Sequence, residues 1–167
     1  MPSQSIVNGS RAEPAAQGPG FHHVGVQAVD LDQSVNWYLD FFGGRLNWSL
    51  DRFSELTLSR LPGITRLVEI EAAGLRFHLF ERPGRPMSRR DADASQFQHV
   101  CISAGSLAEV ENWRARWVEL YETGKYAFTS PEPPSRIDTD GTGISSFYFF
   151  DPNGLEFEFT HIPAGAS

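Results

Sequence analysis

Cysteine is almost absent from this sequence. Cys101 is the only one, so no intrachain disulfide can form. A single thiol fits a reducing, cytoplasmic location. Positive charge is also scarce: 14 Lys and Arg stand against 21 Asp and Glu, a formal charge of −7. With no basic stripe to neutralise phosphates, the composition argues against nucleic acid as a partner. Long apolar runs are missing, which argues against a membrane span. The opening MPSQSIVNGS lacks the charged and apolar regions of a signal peptide. No Gly-rich phosphate cradle occurs, so a nucleotide is not implied. What is present is a 40% hydrophobic content with 13 Phe, enough for one compact domain with a real core.

The main signal is an internal echo. FHHVGVQAVDL at 21–31 returns as FQHVCISAGSL at 97–107, which matches Phe21 to Phe97, His23 to His99 and Val24 to Val100. A second echo aligns GLRFHL at 74–79 with GLEFEF at 154–159 and sets His78 opposite Glu158. The chain therefore reads as two copies of one module.

Each copy reads as strand, helix, then three strands. Residues 1–20 are rich in Ser, Ala, Gly, Pro and Gln and read as a flexible tail. Module 1 is 21–81, a polar linker is 82–96, and module 2 is 97–162. In module 1 a strand over Phe21–Val29 precedes a helix over Asp30–Phe42, capped by Asp30 with Gln33 completing a capping box. Arg45–Phe53 reads as a strand, 54–63 as loop, and Ile64–Glu71 with Leu75–Glu81 as a hairpin. In module 2, Ser106 and Glu109 form a capping box before a helix that ends at Gly124. Strands follow at Tyr126–Thr129, Ser145–Phe150 and Leu155–His161, with a long loop through Gly141–Gly143. The order of elements gives an α+β fold class with helices outside.

Alternation along the strands sorts the side chains by face. Val24, Val26 and Ala28 share an apolar face, as do Phe77 and Leu79, Val100 and Ile102, and Phe157 and Phe159. His23, His78, His99 and Glu158 fall on the opposite face. His22 falls on the apolar side or at the strand end and is the poorer ligand of the adjacent pair. Three imidazoles and a carboxylate suit one divalent transition metal such as Ni, Zn, Co, Mn or Fe, and disfavour Ca and Mg. The plainer reading is that these are half-buried polar residues that pack or hydrogen-bond, as strand histidines commonly do. Arg76 shares the face of His78 and is a candidate for a substrate carboxylate; Gln27 and Ser103, related by the repeat, are candidate pocket lining. Cys101 reads as a small buried filler.

The repeated module, with HVGVQAVDL at 23–31, HVCI at 99–102 and YFFDPNGLEFE at 148–158, resembles the vicinal oxygen chelate superfamily. That superfamily includes glyoxalase I, methylmalonyl-CoA epimerase, thiol transferases of fosfomycin resistance, extradiol dioxygenases and bleomycin-resistance proteins. The resemblance implies paired βαβββ units making a cupped mixed sheet around a metal that polarises a small substrate with two neighbouring oxygens. It implies a homodimer and Glu158 as the metal carboxylate. The implied activity is an isomerase or lyase acting by enediolate-type proton transfer, with Glu158 as the base or, as in the epimerase, Glu69 or Glu71. His78 stands where glyoxalase I and the epimerase place Glu or Gln. A set of His23, His99 and Glu158 alone would instead resemble an Fe(II) extradiol dioxygenase. The dioxygenase pattern has a His upstream of Tyr148, whereas 137–144 reads IDTDGTGI. A third reading is a resistance protein that binds a drug without chemistry.

Overall fold

The computed structural model describes residues 20–84 and 97–165. The tail at 1–19 and most of the linker thus lie outside the described residues. Module 1 contains β1 (Val24–Ala28), α1 (Leu31–Phe42), β2 (Arg45–Leu50), α2 (Glu55–Arg60), β3 (Arg66–Ala72) and β4 (Leu75–Glu81). Module 2 contains β5 (His99–Ser103), α3 (Leu107–Glu122), β6 (Asp138–Thr139), β7 (Ser145–Phe150) and β8 (Glu156–His161). The strands form two four-stranded mixed sheets, ordered β1-β4-β3-β2 and β5-β8-β7-β6. β1 runs parallel to β4 and β5 parallel to β8, so the first strand of each module is a sheet edge.

Local chemistry explains the helices. Asp30 Oδ1 accepts the Gln33 N–H at 2.9 Å, and Gly43 takes the left-handed φ of 65° that ends α1. The second half of the predicted capping box does not form. Gln33 turns away and bonds both the N–H and the C=O of Ala127, tying the start of α1 to module 2. In α3 the Ser106 hydroxyl accepts from Glu109 N, but the Glu109 carboxylate reaches Gly105 N at 2.7 Å.

Three elements differ from the sequence reading. Residues 55–60 form a short helix, α2, because Ser54 caps it through Thr57 N, although α2 buries none of its residues. Residues 126–129 are not a strand. Tyr126 is buried and Phe128 packs on Trp37 and Trp117, which gives the alternation of a strand, while the backbone there bonds Gln33 and Pro152. The fourth strand of module 2 is instead β6, two residues long, within the stretch read as loop.

The core is a single aromatic cluster shared by both modules. Trp37, Tyr38 and Phe41 of α1 are fully buried. Tyr38 packs on Phe77 of β4 at 5.0 Å, while Phe41 meets Phe149 of β7 at 5.2 Å and Phe42 meets Phe157 of β8 at 5.5 Å. Each ring so buried contributes about 1.5–3 kcal/mol. A polar knot joins the modules beside it. Asp151, in the β7–β8 turn, accepts the Tyr38 hydroxyl at 3.0 Å, and Asn153 Oδ1 accepts both Val29 N and the Ser34 hydroxyl.

Candidate metal centre

The apolar faces of both sheets turn to this core, which leaves the opposite faces for chemistry. Strand register then decides which side chains meet. On the first sheet, Gly25 pairs with His78, His78 with Glu69, and Glu69 with Trp48. This cross-strand row is the floor of the first half-site. His78 Nε2 lies 2.8 Å from Glu69 Oε2, and Glu69 Oε1 accepts the Asn47 amide at 2.9 Å. Glu69 is only 4% exposed. The hydrogen bond from Asn47, and then that from His78, hold its carboxyl below the usual carboxylate range. Trp48 covers the His78 ring edge-on at 5.0 Å.

His23 stacks on His78, with ring centroids 3.7 Å apart and planes within 12°. Its Nδ1 lies 2.9 Å from Nδ1 of His22. Burial lowers the His23 pKa first, and the neighbouring His78 and His22 lower it further. These causes favour the neutral ring, the form that a metal requires of its ligands. His22, His23 and His78 each offer a ligand atom, all within 4.8 Å of one another. Among the described residues, no other group of three such side chains is as close. His22 is thus closer to the site than the alternation of a strand allows. β1 begins only at Val24, so neither histidine is held to a pleat.

On the second sheet, Cys101 pairs with Glu158 and Glu158 with Tyr148. His99 Nε2 lies 3.3 Å from Glu158 Oε2. The Cys101 thiol and the Tyr148 hydroxyl both stand beside Glu158; desolvation raises the pKa of each, and the Glu158 carboxylate raises it further. Partial desolvation of the sulfur, and then the Glu158 carboxylate, push the Cys101 thiol up to about 11. Cys101 is exposed rather than a buried filler, because the chemical face of edge strand β5 has no cover among the described residues.

The structure therefore joins His23 to His78 and His99 to Glu158, and does not bring the two pairs into one cluster. Of the remaining candidates, Gln27 is engaged, accepting from Arg82 Nε at 2.8 Å. Arg76 and Ser103 are exposed on the chemical faces, opposite Glu71 and Thr160 in register. Asn47 and Trp48 were not found from the sequence; the register of the β2–β3 pair is the signal that places Trp48 beside Glu69. The donor set fits a divalent transition metal. It offers stacked imidazoles with a buried carboxylate behind one of them, and an imidazole–carboxylate pair with a thiol and a phenol beside the carboxylate.

The sequence matches the Glyoxalase/Bleomycin resistance protein/Dioxygenase superfamily over residues 20–159. No curated protein matches it significantly. Solved structures share the fold. A glyoxylase/bleomycin resistance protein/dioxygenase domain from Frankia sp. EAN1pec is 19% identical with a TM-score of 0.65, covering 89% of this chain and 96% of that one. Lactoylglutathione lyase from Agrobacterium tumefaciens is 24% identical with a TM-score of 0.54, covering 89% and 94%. The genomically encoded fosfomycin resistance protein FosX from Listeria monocytogenes, complexed with Mn(II) and sulfate ion, is 17% identical with a TM-score of 0.57, covering 90% and 98%.

Proposed function

The chain belongs to the Glyoxalase/Bleomycin resistance protein/Dioxygenase superfamily, and from that membership we propose that it is a metal-dependent isomerase or lyase acting on a small substrate with two neighbouring oxygens. The observation that carries the reading is the pair of half-sites, His23 with His78 and His99 with Glu158, on the chemical faces of two repeat-related sheets. Neither pair is a complete ligand set. A homodimer in which one chain's first pair faces the partner chain's second pair supplies four ligands at each of two equivalent sites.

When bound, a divalent ion supplies Lewis acidity, which lowers the pKa of the C–H beside the chelated oxygens. The chain's own groups do the rest. Glu158 takes and returns the proton, with Tyr148 and Cys101 beside its carboxylate on the neighbouring strands. Glu69 orients the His78 ring, and Asn47 fixes Glu69.

A second reading rests on one contact. His78 Nε2 is already engaged by Glu69. If that bond persists and His78 stays off the metal, the set reduces to His23, His99 and Glu158, two imidazoles and a carboxylate as in Fe(II) oxygen chemistry. Metal content of His78→Ala separates the two. Loss of metal supports the four-ligand site, and retained iron supports the dioxygenase.

The deciding experiment mixes two defective chains. One carries His23→Ala and His78→Ala, the other His99→Ala and Glu158→Gln. Each alone is expected to hold no metal. After subunit exchange the mixture is expected to regain about one quarter of the wild-type metal, because half of the dimers are mixed and each has one intact site. No recovery in a mixture shown to contain mixed dimers would refute the shared site. Wild-type protein without metal would refute the enzyme reading.

A further inference from the structure

We infer that the substrate of this site carries an uncharged, ring-sized apolar body, seated in the groove between the edge strands β1 and β5. The inference rests on the metal-site reading above and deepens it by naming the substrate class. The groove has a volume of about 520 Å³, within the range of small-molecule pockets. Phe21, Val24 and Leu75 form one wall, and Phe97 and Val100 form the other. Phe21 and Phe97, equivalent in the repeat, are 72% and 65% exposed. Two large, mostly exposed rings thus flank a concave apolar surface.

Among the described residues, only two lining side chains are polar, and each belongs to a half-site. His23 is a metal-ligand candidate, and Cys101 stands opposite Glu158 in register. The groove therefore adjoins both places where oxygens would be held. Among the described residues, no Lys or Arg lines it. A carboxylate, phosphonate or sulfonate on the substrate body would enter an apolar site with no cationic partner among the described residues, in a chain of net charge −7. Gly25 leaves the floor bare: a Cβ there would meet only Phe80 Cε1, at 4.0 Å. The vicinal oxygens supply the polar end of such a molecule and the groove takes its apolar end.

The test uses two fluorescent probes with the same rings and one charge of difference. N-phenyl-1-naphthylamine is uncharged, and 1-anilinonaphthalene-8-sulfonate is anionic. Both are titrated into the full chain. The neutral probe is expected to saturate at one per chain, and the anionic probe to bind at least about tenfold more weakly. Gly25→Leu fills the floor and Phe97→Ser strips the mouth at an exposed position. Each is expected to weaken the neutral probe at least about fivefold. In protein loaded with cobalt(II) alone, the neutral probe is expected to shift the visible absorption, since His23 borders the groove. Equal binding of the two probes overturns the inference, and so does neutral-probe binding indifferent to both variants. Dissociation of the protein by Phe97→Ser, seen in sedimentation with probe uptake unchanged, assigns the groove to a second copy and also overturns it. Intact probe binding in a protein that takes up no cobalt removes the metal-site reading, and the substrate assignment with it. That result differs from cobalt uptake without probe binding, which removes the inference alone.

Discussion

Asp151→Asn is the substitution whose effect the structure fixes most closely. Asp151 is fully buried, and its pKa is raised from 3.8 to about 6. Burial drives the rise, opposed by the donors Leu155 N, Asn153 and the Tyr38 hydroxyl. The unfolded chain loses this proton near pH 3.8 and the folded chain near 6. The group's contribution to stability is therefore fully present below pH 3.8, and is lost as pH rises through 6. A two-unit shift corresponds to about 3 kcal/mol. Asparagine is a neutral stand-in that cannot ionise. It carries its own cost, since its amide cannot accept from every donor that the carboxylate serves, but that cost does not vary with pH. Stability measured by urea unfolding from about pH 4 to 7 should therefore move in favour of the variant, relative to wild type, by about 3 kcal/mol. In thermal melts this is roughly 6–12 °C. A difference that stays flat across the range would refute the reasoning, because Asp151 would then ionise in the core without penalty.

Two further outcomes follow from contacts already described. Glu69→Gln should leave the circular dichroism spectrum unchanged and lower metal affinity about 10–100-fold, because the carboxylate behind His78 is lost; unchanged affinity would remove Glu69 from the site. Gly154→Ala should destabilise the chain by about 1–2 kcal/mol in denaturant unfolding, from its φ of +84° alone. A Cβ at that position would also lie 2.9 Å from the Thr129 hydroxyl, which adds to the loss.

The repeat was legible because both copies keep one pattern: apolar side chains at alternate strand positions toward the core, and His or Glu on the other face. Phe77, Phe157 and Val100 are buried, and His78, Glu158 and His99 lie opposite. Face assignment needs only a period of two, which the sequence carries. Setting β1 parallel to β4 puts Gly25 opposite His78; His23 precedes the strand and reaches the same ring by stacking on it. What escaped the sequence has two physical causes. Alternation fails outside hydrogen-bonded strand, which is how His22 came to lie beside His23. Side chains that satisfy distant backbone leave no local mark, which is why Gln33 read as half of a capping box and Tyr126–Thr129 as a strand. The α2 helix is six residues long and buries nothing, so it carries no apolar stripe to read.

The burial of α1 by both modules bears on how the chain is made. Residues from module 1 leave the ribosome first, and Trp37, Phe41 and Phe42 emerge with half of their cover still to be translated. Phe149 and Phe157, which close over them, follow more than a hundred residues later. At ordinary synthesis rates that interval is roughly 5–25 seconds. During it the helix presents a stripe of large rings to solvent, a target for chaperones and for misassociation among nascent chains. Truncation before β7 would make that exposure permanent, so a first module expressed alone should be insoluble even though its own sheet is complete.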